Sequence, residues 1–101
     1  MVRNAYLKKV EERLSRLDEE IDVLRKRAES TSAEARAMFV RQVASLQSQA
    51  ESARERIRSV REAGAASWGV LKKGVDESIR DLRKGIDEAV QRFRKTGSDN
   101  R

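Results

Sequence analysis

Apolar side chains at Leu7, Val10, Leu14, Leu17, Ile21, Leu24 and Ala28 recur at alternating spacings of three and four, and no proline stands anywhere in the chain. That spacing lines the seven along one stripe of a helix, with Leu7, Leu14, Ile21 and Ala28 at the a positions of a heptad and Val10, Leu17 and Leu24 at d. The strongest helix breaker is missing from every position. Ala, Glu, Lys, Leu and Arg supply 53 of the 101 residues, as in coiled coils and long helices. Four aromatics give too little bulk for an ordinary compact core or a β-sandwich. One all-α domain is therefore expected, its helices amphipathic and in need of partners.

Ser30, Thr31 and Ser32 interrupt the first stripe, and Thr31 followed by Glu34 fits a capping box opening a new helix. A second heptad seam then runs through Phe39, Val43, Leu46, Ala50, Ala53, Ile57 and Val60. If the chain doubles back, the layers 7 with 60, 10 with 57, 14 with 53, 17 with 50, 21 with 46, 24 with 43 and 28 with 39 each set an a against a d, as an antiparallel coil requires. Flanking charges agree in part. Glu11 and Asp18 fall on the side of Arg61 and Arg54, whereas Arg13 faces Arg56.

From Ile57 onward the chain aligns in elevens: IRSVREAGAAS, WGVLKKGVDES, IRDLRKGIDEA and VQRFRKTGSDN. The first position reads Ile57, Trp68, Ile79, Val90; the fourth reads Val60, Leu71, Leu82, Phe93; the fifth is always basic, Arg61, Lys72, Arg83, Arg94. Eleven residues over three turns keep the stripe nearly straight. Because the phase persists through Gly64, Ala65 and Ala66, the expected fold is an antiparallel helical hairpin, with a short first helix over about 3–30 and a long second helix over about 33–94, some ~90 Å in length. The alternative is a three-helix bundle broken near 64–67. Within one coiled-coil domain the pieces are a heptad helix over 3–30, a second over 33–60, the eleven-residue-repeat helix over 57–95 and a frayed tail over 96–101.

The heptad opening, the segment Ala35 to Leu46 and above all Ser67-Trp68-Gly69-Val70-Leu71-Lys72-Lys73-Gly74-Val75 resemble a widespread group of small, charged bacterial coiled-coil proteins of unassigned function. Members tend to end in repeated Trp-x-x-Leu-Lys-x-Gly-aliphatic units. The chain departs from that pattern in being basic and in having one Trp. In period alone, the elevens are also similar to apolipoprotein-type and desiccation-type helices. These resemblances imply a helical coiled coil and supply no activity.

His and Cys are both absent, which removes imidazole acid–base chemistry, thiol nucleophiles, disulfides and the usual zinc ligands. The five glycines lack the spacing of a phosphate-binding loop. No catalytic residue, cofactor, metal or small-molecule substrate is expected, and the function read from the chain is structural or interaction-based. No apolar run approaches the ~18 residues of a membrane span, and Met1 to Val10 is too polar for a signal peptide, so the expected compartment is the cytoplasm.

An excess of 23 basic over 17 acidic residues gives a net charge of +6 and raises anionic partners. The stripe of Trp68, Leu71, Val75, Ile79, Leu82, Ile86, Val90 and Phe93 is the expected working surface, bordered by Arg61, Lys72, Arg83 and Arg94 as an anionic-surface flank. Left unpaired by a two-helix hairpin, it predicts a homo-oligomer, with an anionic membrane surface as the alternative partner. Nucleic acid ranks below both. Arg54, Arg58 and Arg61 share one helical face, but Glu51, Glu55 and Glu62 stand at pairing distance and no aromatic interleaves them.

Overall fold

The computed structural model describes residues 2–99 of the chain. Three helices follow one another, α1 over Val2–Glu29, α2 over Ala33–Glu62 and α3 over Ala65–Asp99. They pack as an up-down-up bundle measuring 54 × 18 × 16 Å, so α1 and α3 run parallel, with α2 antiparallel to both. The all-α expectation holds, and the hairpin does not. The helices have 28, 30 and 35 residues, so the first is not a short arm, and the long second helix over 33–94 is divided at Ala63 and Gly64. Helix also runs through Asp99 where a frayed tail over 96–101 was expected, and residues 100–101 lie outside the described ones.

The first turn sits where the polar run of Ser30 to Ser32 places it, with a different residue doing the capping. Ser32, not Thr31, precedes α2, and its hydroxyl oxygen accepts the backbone N–H of Ala35 at 3.5 Å. The Thr31 hydroxyl instead donates back to the Ala28 carbonyl at 2.9 Å and closes the end of α1.

At the second turn Ala63 adopts extended backbone, φ −75° and ψ 148°. Its carbonyl accepts the Arg3 guanidinium at 2.8 Å, and the Gly64 carbonyl starts α3 by accepting from Ser67. Breaking the helix here loses a few backbone hydrogen bonds of about 1 kcal/mol each. Folding α3 back buries Val75, Ile79, Leu82, Ile86 and Phe93, each contributing roughly 1.5–3 kcal/mol. Burial wins by a wide margin.

All seven residues of each heptad seam are buried, at 6% exposure or less, in one core shared with the α3 stripe. The α1–α2 register is the one the layers require: Arg61 pairs with Glu11 and Arg54 with Asp18. Arg13 and Arg56 do not face each other. A third helix separates those flanks, so that Arg13 lies in the α1–α3 groove and Arg56 in the α2–α3 groove. The four aromatics sit at the two ends of the bundle. Tyr6 meets Trp68 edge-on at one end, and Phe39 meets Phe93 at the other, with ring centroids 5.4 Å and 4.0 Å apart.

The α3 glycines differ in what surrounds them, and their substitution separates helix propensity from packing. A Cβ on Gly69 would meet nothing within 4 Å, one on Gly74 would come within 3.1 Å of the mobile end of Arg56, and one on Gly85 would stand 2.9 Å from the buried Leu46 Cδ2. Gly69→Ala is therefore expected to stabilise the bundle by about 1 kcal/mol. Gly85→Ala forfeits that gain, because a core leucine must move, and Gly74→Ala falls between. Chemical denaturation of the three variants measures the order.

Candidate anion-binding groove

The three grooves between helices differ in how their charges are matched. Along α1–α2, Arg54 contacts Asp18 and Glu51, Arg61 contacts Glu11, and Arg58 contacts Glu55 at 3.1 Å. The arginine strip of α2 is thereby neutralised by its neighbours. The α2–α3 groove is lined by Ser48, Gln49, Ser52 and Ser78, with one cation, Arg56, and one anion, Asp81.

The α1–α3 groove is different. It has a volume of about 320 Å³ and is lined by Lys9, Arg13, Arg16, Leu17, Glu20, Ile79 and Arg83. Four cations stand there against one carboxylate, and that carboxylate is engaged. Arg83 holds Glu20 through two parallel hydrogen bonds, Nη1 to Oε2 at 2.7 Å and Nη2 to Oε1 at 2.8 Å, and reaches Asp87 at 2.7 Å. The bond to Glu20 is the main cause holding the Arg83 guanidinium more firmly protonated than usual. Among the described residues, Lys9, Arg13 and Arg16 have no carboxylate within 4 Å. The outer face of α3 beside the groove continues the basic character with Arg80, Lys84, Arg92 and Lys95 around Asp87 and Glu88.

The sequence explains this geometry. Lys9, Arg13 and Arg16 are spaced four and three apart, so they form a row on the α3 side of α1. Arg13 has no acidic residue three or four places away in either direction. Of the acids near this row, Glu11 and Asp18 face α2 and Asp22 holds Arg25 and Lys26, while Glu12 and Glu19, three or four places from Lys9 and Arg16, are exposed and make no ion pair with them. Hydrogen bonding to Arg25 lowers the Asp22 pKa, as expected of a carboxylate in an ion-paired surface cluster.

At the open end of the bundle the groove closes on a polar–aromatic contact. The Tyr6 hydroxyl lies 2.7 Å from Asp76 Oδ1 and donates there, with the Lys72 carbonyl at 3.1 Å. Desolvation, reinforced by Asp76, pushes the phenol pKa upward. Arg3 and Lys72 lie over the Trp68 and Tyr6 rings at 5.5 Å and 5.0 Å.

The stripe expected as the working surface faces inward. Val75, Ile79, Leu82, Ile86 and Phe93 are buried, and Trp68, Leu71 and Val90 are half-buried against the same core. Its cationic flank is not one face. Arg61 belongs to the α1–α2 seam, Lys72 lies 3.6 Å from Asp76, Arg83 is held by Glu20, and Arg94 is exposed. No helix among the described residues is long and apolar enough to cross a membrane. Comparison with protein-family models, curated proteins and solved structures returned no match.

Proposed function

We propose that the chain is a non-enzymatic interaction module that holds an anionic partner along the α1–α3 groove while its three helices stay packed. The observation that carries this reading is the local mismatch of charge. The cations of the α1–α2 seam have carboxylates in contact, whereas Lys9, Arg13 and Arg16 converge on a groove whose single carboxylate already serves Arg83. Self-association through the α3 stripe loses its motive, because the same chain covers that stripe.

Inorganic polyphosphate is the simplest probe. Calorimetric titration is expected to show binding that weakens as salt screens the contact, and to show at least a roughly tenfold loss on Arg13→Gln with Arg16→Gln. Arg36→Gln with Arg41→Gln removes the same charge from the exterior of α2 and is expected to cost far less. Equal losses for the two pairs would mean that net charge alone attracts the probe, and would overturn the reading.

A further inference from the structure

Resting on that reading of the groove, we infer that its partner is the phosphate backbone of a nucleic-acid duplex, bound without regard to base sequence. Lys9, Arg13 and Arg16 extend over about 10 Å of α1 at ~1.5 Å per residue, and a duplex presents a phosphate every ~3.4 Å along each strand. Laid along the duplex axis, the row matches the axial rise of about three phosphates, whose winding around the duplex its long Lys and Arg side chains must span. Arg80 and Lys84, four residues apart on the outer face of α3, add a second short row about 6 Å long. Guanidinium groups supply three of these five cations, and their planar fork suits phosphate oxygens.

Duplex is favoured over single strand by where the aromatics are. Single-stranded binding draws on exposed rings that stack on bases. Here Phe39 and Phe93 are buried against each other, and Tyr6 and Trp68 are packed edge-on beneath Lys72 and Arg3. The one ring at the end of the cationic row, Tyr6, is engaged by Trp68, Asp76 and Lys72. A backbone contact is also favoured over base reading, since the groove lining holds no Asn or Gln to read a base edge. A lipid surface is disfavoured because the exposed large apolar side chains, Val23, Met38, Val40 and Val70, are scattered over all three helices instead of gathered beside the cations. The structure thus moves the nucleic-acid reading from the arginine strip of α2, which is ion-paired, to a row on α1.

Fluorescence anisotropy of the full chain with a labelled mixed-sequence duplex tests the inference. With about five phosphates neutralised, log K is expected to fall with log salt at a slope near −4.5, about a 500-fold loss between 50 and 200 mM. Arg13→Gln with Arg16→Gln is expected to bring the slope to about −2.7, while Arg36→Gln with Arg41→Gln leaves it unchanged. An unrelated duplex sequence should bind equally, and the matching single strand should bind about tenfold more weakly. Circular dichroism confirms that each variant is folded. Groove-dependent binding of polyphosphate without binding of duplex overturns this inference and leaves the parent reading standing. Failure to bind either probe overturns both. Tighter groove-dependent binding to phosphatidylglycerol vesicles than to duplex overturns the assignment in favour of a membrane.

Discussion

Leu82→Asp is expected to unfold the bundle at every protein concentration, with or without lipid. Leu82 has 0% exposure and lies mid-way along the α3 stripe, in the same core as both heptad seams. Removing a buried leucine costs about 2–5 kcal/mol, and an unpaired carboxylate in its place adds a desolvation penalty of several more. A domain of this size has roughly 5–15 kcal/mol to lose. Far-UV circular dichroism should show most of the helix signal gone. Val70→Asp makes the contrast: Val70 is on the same helix but 77% exposed, and its replacement should change stability by less than about 0.5 kcal/mol. A folded Leu82→Asp chain would mean that the stripe is not core.

Phe39→Ala is expected to have the next largest effect. Phe39 is fully buried beside Phe93, with the Arg27 guanidinium 5.5 Å from the Phe93 ring. At this end the buried apolar residue of α1 is the small Ala28, which is 1% exposed, and the bulk of the core comes from the two rings. Truncation should cost about 3–5 kcal/mol, a fall in Tm on the order of 20 °C for a domain of about this length. In a double-mutant cycle Phe39→Ala and Phe93→Ala should be non-additive, because each ring is the other's wall. Additive losses would show that the rings do not act as a pair.

Most of the core is legible in the chain. The heptad spacings specify which faces of α1 and α2 are buried, and the positions of Glu11 and Asp18 against Arg61 and Arg54 support the register that the bundle adopts. The stripe of α3 is equally plain, because a period of eleven selects the same residues whichever way the helix runs. That symmetry hides the second turn. A periodic pattern records phase and not direction, so a reversal at Ala63 and Gly64 that happens to preserve phase reads as continuous helix. The eighth position of the repeat carries the better signal. Val75 and Ile86 fill it in the two middle repeats, whereas Gly64 fills it at the turn and Gly97 in the last turns of α3, so the glycine marks the reversal only together with the loss of the stripe residue.

The groove was harder to see for an electrostatic reason. Counted by halves, the basic surplus lies beyond residue 54, yet Lys9, Arg13 and Arg16 belong to the nearly neutral half. Matching charge along the sequence takes no account of which neighbouring helix each carboxylate faces. Glu11 and Asp18 are spent on α2, Glu20 is spent on Arg83, and the row on α1 is left over only once three helices are in place. Conversely, Arg54, Arg58 and Arg61 form a conspicuous run in sequence and are neutralised in the fold.

By turning at Ala63 and Gly64, one chain covers its own apolar stripe. Small-angle X-ray scattering with an absolute mass tests this most directly. A particle of 11.5 kDa is expected, with a radius of gyration close to the 16.1 Å of its Cα trace, unchanged on dilution. A radius near 26 Å, as a rod of ~90 Å requires at ~1.5 Å per residue, or a mass that doubles with concentration, would contradict it.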